Sequence, residues 1–415
     1  MTATDTAIAG GVTTQRRGLP GWLLGLVLFL AFCAVRTLTD ESDITSVGTF
    51  QAALTLAVPI AMAGLGALWS ERSGVVNIGL EGMMALGTWF GAYFGWKLES
   101  PWFGLLFAAL AGMAGGALLA LAAVNFAVNH VVAGTAINIF APGLASYLSG
   151  ALFVGIPGAG PKQSPPIEPF TTVTLPGAGW LDDLNAKGWF VISDIAGIIG
   201  GLITNVSLIS IFAVILFVVS WFVLWRMAIG LRIRASGENP WAAESLGVNV
   251  INIKWLAVLV SGFMAGVGGM ALVNQTTKYV ANQTAGRGFI GIAAMIFGNY
   301  MPGGTAAGSG LFGYSDALQL RANSAVVALL LFVAIVTLVF ALNSFLKGKA
   351  ISGIVLVVAA VLIFLVWLSF GEGDQLATQF VAMTPYLITL VVLAATASTL
   401  RAPAADGVEY RRGEH

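Results

Sequence analysis

The sequence predicts an all-α, polytopic membrane protein with about 10–12 transmembrane helices. Three observations carry that expectation. Of 415 residues, 58% are hydrophobic and only 9% charged, whereas soluble domains carry roughly a quarter charged residues. Apolar runs recur at a length near the ~20 residues that a helix needs to cross a bilayer. Lysine and arginine also gather on one side of the membrane when the runs alternate in direction.

In order, the runs fall near residues 21–36, 50–69, 75–96, 102–124, 131–153, 206–225, 254–273, 288–301, 304–320, 325–346, 351–370 and 379–400. The first follows Arg16 and Arg17, as the core of a signal peptide would. Phe32 is too bulky to precede a lipoprotein cleavage at Cys33, however, and no small-x-small site follows. The run is therefore read as an uncleaved helix. A single cysteine excludes an intrachain disulfide.

The runs at 288–301 and 304–320 are short and divided by Pro302, Gly303 and Gly304. Irregular backbone survives at membrane depth only beside protein or water, so these read as broken or tilted helices lining a cavity. With Arg16 and Arg17 cytoplasmic, alternation places Arg226, Arg232, Arg234, Lys347, Lys349, Arg401, Arg411 and Arg412 inside. Asp40–Asp43 and Glu372–Asp374 then fall outside. This positive-inside pattern requires both short runs to cross. The working count is twelve crossings, with eleven or ten as alternatives.

The expected organisation is a cytoplasmic tail at 1–20, a transmembrane domain at 21–400 and a second cytoplasmic tail at 401–415. An external stretch at about 155–204 opens with closely spaced prolines that forbid a regular helix. It reads either as a passive loop or as a docking surface. A faint internal repeat is visible: IGLEGM at 78–83 resembles IGIAAM at 290–295, and Gly74 matches Gly286 at the same offset. Repeated halves are common in transporters, whose sites lie near the repeat interface.

One polar island, RIRASGENPWAAESLGVN at 232–249, interrupts the apolar sequence. Asn239 suits an N-cap, Pro240 the first helical position and Gly247 the position after the C-cap. Between them lie about two turns, too short to be stable alone in water. Either the helix rests at the headgroups or a cytoplasmic partner holds it.

The island resembles the coupling segment of the permease subunits of nucleoside and simple-sugar ABC importers, in the branched-chain amino acid and sugar permease superfamily. SERSGVVNIGLEGMMALGTWFGAY at 70–93 resembles a second signature of the nucleoside branch. FIGIAAMIFGNYMPGG, FGYSDALQLR and PYLITLVVLA are similar to its later segments. Together the similarity covers roughly residues 50–320 and 380–400.

The resemblance implies an ABC importer permease fold and a cytoplasmic coupling segment at 229–252 that docks into a separate ATP-hydrolysing subunit. Carried over, Glu238, Asn239 and Pro240 shape the helix start, Trp241, Glu244 and Leu246 face the groove, and Gly247 ends the helix. The implied partners are that ATPase, a second related permease as a heterodimer, an external substrate-binding lipoprotein, a nucleoside and membrane lipid. Relatives run almost directly from ALQLR into the final helix, so residues 325–370 read as an inserted helical hairpin.

Polar residues inside the runs are the other candidates, because a carboxylate there must be paired or face a cavity. Asn77 and Glu81 lie four apart on one helical face, either along a substrate pathway or joining helices through backbone groups. Asn299, just before the Pro302 break, is a second pathway candidate, and Asp316 falls under the same rule. Glu71 and Arg72 read as solvated or paired with each other. Asn125, Asn129 and Asn138 surround His130 and would bridge helices or line the path.

Several classes are excluded. Lysine plus arginine equals aspartate plus glutamate at 19 each, so no polyanion such as nucleic acid is expected. There is no GxxxxGK[ST] loop to hydrolyse ATP. Two histidines support neither a metal centre nor a Ser–His–Asp set, so no catalytic residue, metal or cofactor is expected. The competing transporter class is an ion-coupled secondary carrier of a small polar solute, which needs ionisable groups at the midplane; a structural or channel-like protein is the third reading.

Overall fold

The computed structural model describes residues 20–321, 323–369, 400–411 and 413. The run at 379–400, save its last residue, and Arg16, Arg17, Glu372–Asp374 and Arg412 lie outside the described residues. Along the chain come helices α1 (Gly21–Thr39), α2 (Val47–Glu71), α3 (Leu80–Lys97), α4 (Pro101–Ala120) and α5 (His130–Leu152). Next are α6 (Ala178–Ala186) and α7 (Ile192–Ile203), bracketed by an antiparallel ribbon of β1 (Thr172–Val173) and β2 (Val206–Ser207). Then follow α8 (Leu208–Arg226), α9 (Ala228–Glu238), α10 (Pro240–Ser245) and α11 (Val250–Thr276). The described series ends with α12 (Arg287–Phe297), α13 (Pro302–Arg321), α14 (Asn323–Leu346) and α15 (Ala350–Leu368).

Among the described residues, eight helices are long and apolar enough to cross a membrane: α1, α2, α4 with its extension to Asn125, α5, α8, α11, α14 and α15. α3 and α13 have crossing length but are diluted by glycine, four in α3 and five in α13. α12 has 11 residues, about 16 Å of rise, or half the ~30 Å hydrocarbon core. The irregular stretch 277–286 supplies the rest of its path. At one end of this path Tyr279 N–H donates to Ser164 Oγ of the external stretch (2.9 Å). At the other end the Tyr300 carbonyl accepts from the Arg72 guanidinium (2.6 and 3.0 Å) beside the end of α2.

The chain divides into two compact units: residues 1–42 with 322–381, and residues 43–321 with 382–415. In the first, α14 and α15 pack as a pair joined by a turn at Gly348 with φ +77°. α1 joins it through Phe32 and Phe332, whose rings meet edge to face at 5.4 Å. Cysteines replacing Ser42 and Lys347 are expected to react with impermeant reagents from opposite sides of the membrane. Labelling from one side would remove the twelve-crossing arrangement.

The second unit is built on helices that approach through glycine. A methyl on Gly112 of α4 would overlap the Gly262 carbonyl of α11, and one on Gly266 would overlap the Ala108 carbonyl of α4. A methyl on Gly87 of α3 would come within 2.6 Å of the Gly266 oxygen. Small residues let membrane helices pack backbone to backbone, where no hydrophobic force separates helix from lipid. α2 is tied to α11 differently. Pro59 lacks the N–H that would bond Thr55, and the freed Thr55 carbonyl accepts from Gln275 Nε2 at 2.8 Å.

The external stretch is more structured than its prolines suggest. Residues 157–169 are non-helical as expected, but α6 and α7 follow, and Gly197 and Gly201 seat α7 against Thr45, just before α2, and Phe50 near its start. Its 12 residues are too few to register as a crossing run.

Candidate functional site: two broken helices and a coupling face

α2 ends at Glu71, and the chain is non-helical until α3 starts at Leu80. Asn138 of α5 bridges this break: its Nδ2 donates to the Ile78 carbonyl (2.8 Å) and its Oδ1 accepts from Gly82 N–H (2.8 Å). Asn77 is fully buried and donates from Nδ2 to Ser261 Oγ of α11 at 2.8 Å. Backbone interrupted at membrane depth is thus satisfied by protein side chains, as the absence of water demands.

The second break precedes α12. There the Glu81 carboxylate, in the first turn of α3, accepts from Gly286 N–H (2.8 Å) and Gly288 N–H (2.7 Å). Those amides are among the unpaired donors at the α12 N-terminus, where the helix dipole favours a negative charge. Gly74 and Gly286, the pair of the faint repeat, have φ +83° and +82° and each precedes a broken helix. The two broken helices therefore meet through their N-terminal ends at Glu81.

Asn299, with φ +53°, sits at the α12–α13 corner, where its Oδ1 accepts from Arg401 N–H at 2.7 Å. Its side chain bonds the terminal segment, whereas Asn77 bonds Ser261 and Glu81 bonds the start of α12. Asp316 lies 4.0 Å from Arg287 in a half-buried ion pair. Glu71 and Arg72 are neither solvated nor paired with each other. Glu71 is buried beside Asp406, and Arg72 turns to the Tyr300 carbonyl. Sequence adjacency misleads here because successive helical residues point in different directions. His130 is buried at the start of α5, and its Nδ1 accepts from Val76 N–H at 3.4 Å. Among the described residues, no cluster of three His, Cys, Asp or Glu side chains could hold a metal.

On the Arg72 face, α9 and α10 form the polar island. Asn239 Oδ1 accepts from Ala242 N–H (2.9 Å), Pro240 opens α10, and Gly247 follows its end with φ +84°. Gly247 N–H donates to the Glu244 carbonyl (2.8 Å) and Val248 N–H to that of Ala243 (3.1 Å), which closes the last turn. Leu246 stands out 86% exposed, Glu244 is half-buried, and Glu238 is exposed with Oε2 accepting from Ala404 N–H. Trp241 differs from the expected outward set, because its ring turns to Tyr410 at 6.0 Å.

The sequence reading missed the segment from residue 400 to 411. Asp406 lies beside Glu71 with the charges of Lys254 and Arg72 nearby, and burial lifts its carboxyl to about 6. Burial likewise pushes the Tyr300 hydroxyl up to about 12 and lowers the Arg72 guanidinium. One available signal was the lone Asp406 and Tyr410 in a tail otherwise rich in alanine and arginine.

Three relatives bear on this geometry. The Guanosine ABC transporter permease protein NupQ of Bacillus subtilis is 31% identical over 371 residues, 88% of this chain and 96% of the relative. The Nucleoside ABC transporter permease protein NupC of Lactococcus lactis is 30% identical over 367 residues, 86% of this chain and 94% of the relative. A second B. subtilis protein, the Guanosine ABC transporter permease protein NupP, is 25% identical over 264 residues, 60% of this chain and 66% of the relative. No solved structure matches. The family described as "Branched-chain amino acid transport system / permease component" matches residues 49–342. With broken helices buried in a glycine-packed bundle and a match spanning most of its length, this multi-pass membrane protein belongs to that permease family.

Proposed function

We propose that the chain forms the translocation pathway of an ATP-driven importer for nucleosides, and that α10 receives the stroke of a separate ATP-hydrolysing subunit. One observation carries the reading. A six-residue helix, capped at both ends and too short to persist alone, presents Leu246 to the outside on the Arg72 face. A helix that served only to pack on its own chain would bury this side chain along with Ala243. The substrate class follows the relatives named for guanosine and nucleosides. An external binding lipoprotein would deliver the substrate. A second related permease would complete a heterodimer, a reading supported by similarity to both B. subtilis guanosine permeases.

In this scheme Glu238, Asn239 and Pro240 set the start of α10, Glu244 and Leu246 meet the ATPase, and Gly247 ends the helix. Asn77 and Glu81 hold the broken helices beside the pathway, with Asn299 at the corner of the second. No observation favours the ion-coupled alternative. Glu81 is committed to two backbone amides and Asp316 lies beside Arg287, so neither stands as a free midplane acid.

Leu246→Glu and Gly247→Val test the coupling role. The second puts a β-branched residue at φ +84°, a conformation such residues avoid. Both variants are expected to reach the membrane at wild-type levels and to lose at least tenfold in the stimulation of ATP hydrolysis by loaded binding protein. Wild-type stimulation in both would remove the proposal's main support.

A further inference from the structure

The segment from Arg401 to Tyr410 touches several elements that end on the Arg72 face near α10. Arg401 N–H donates to Asn299 Oδ1 at the α12–α13 corner (2.7 Å). Ala405 N–H donates to the Gly237 carbonyl in the last turn of α9 (2.9 Å), and Ala404 N–H to Glu238 Oε2 (3.3 Å). The Ala405 carbonyl lies so close to Gly74 that a methyl there would sit 3.0 Å away. Asp406 lies beside Glu71 at the end of α2, with the Lys254 charge of α11 nearby. Tyr410 is 5% exposed and packs with Ala243, Val250 and Trp241, with the Lys254 ammonium 5.6 Å from its ring centre.

The inner face of α10 therefore rests on a residue from the far end of the chain. α10 is too short to hold its own shape, so its aim depends on what lies beneath it. Tyr410 also walls a cavity of about 230 Å³ next to Leu246, together with Glu244, Gly247, Asn249 and Ile251. Glu244 and Gly247 bring the end of α10 to its wall, so Tyr410 and the end of the coupling helix line one hollow.

We propose that residues 401–410 are a strap that aims the coupling helix and completes its docking face for the ATP-hydrolysing subunit, with Tyr410 as its positioning residue. The inference rests on the coupling role of α10 given above. Turns at Pro403–Asp406 and Ala405–Val408 hold the strap compact. It links the corner at Asn299, the end of α2 and the underside of α10, so a shift of one reaches the others.

The test uses the complete importer reconstituted in liposomes, with the ratio of ATP hydrolysis in the presence and absence of loaded binding protein as readout. Tyr410→Ala is expected to lower that ratio at least threefold, and removal of residues 401–415 by at least as much. Tyr410→Phe keeps the ring and should retain at least half of the wild-type ratio; a general loss of fold would not be rescued in this way. Leu246→Glu in the same preparation separates the two ideas. If it uncouples while Tyr410→Ala does not, the coupling role stands and the strap falls. If neither uncouples, both fall. A Tyr410→Phe ratio as low as that of Tyr410→Ala would also overturn the strap.

Discussion

Glu81→Ala should leave the protein unable to hold its bundle in detergent and should abolish uptake. The carboxylate accepts from Gly286 and Gly288 N–H at 2.8 and 2.7 Å. Hydrogen bonds to a charged group contribute about 1.5–3 kcal/mol each. Alanine removes both and leaves two partly buried amides without their acceptor, at a cost of about 1–3 kcal/mol each. Against a total stability of about 5–15 kcal/mol, that is a large fraction. Glu81→Gln should fall between, since one amide oxygen replaces two carboxylate oxygens and the NH2 group faces a donor. Gly288→Ala acts on the same contact from the other side, because its methyl would lie 2.6 Å from the Glu81 backbone. Thermal aggregation midpoints of the three variants give the order. An Ala variant melting with the wild type would show that the contact carries little.

Gly266→Val should prevent assembly altogether. Its side chain would be driven into the Ala108 carbonyl and the backbone of α4, and backbone cannot move aside as a flexible side chain can. The variant is expected to be degraded or retained as aggregate, seen as loss of the monodisperse peak in size exclusion. Gly143→Ala in α5 is the control, because nothing lies within 4 Å of the added methyl. Alanine is the better helix former by about 1 kcal/mol, so this variant should match or slightly exceed the wild type. Equal behaviour of the two substitutions would contradict glycine-mediated packing of α4 on α11.

The sequence made most of the bundle legible, because the crossing length of a helix is fixed by the bilayer and apolar runs report it directly. The ends of α10 were legible too. Asn239, Pro240 and Gly247 each act on backbone within a few residues, and local rules reach that far. What stayed hidden depends on distance along the chain. Nothing around Glu81 says that its acceptors are filled by Gly286 and Gly288, 205 and 207 residues away. Glu71 and Arg72 show the same limit, since neighbours in sequence found different partners in space. α7 was missed because 12 residues seated by glycine on the head of α2 lack the length of a crossing run. The role of the terminal segment under Trp241 escaped for the simplest reason, as a polar tail looks alike whether it is docked or free.

The meeting of two helix N-termini at Glu81 has an electrostatic consequence. Each N-terminus carries about half a positive charge, so the pair amounts to about one, and Glu81 sets its carboxylate against both ends at once. Arg287, at the first position of α12, adds a full positive charge beside them and is offset by Asp316. Removing the Glu81 side chain would leave two positive helix ends facing each other, so the same residue that joins the helices also keeps them from repelling.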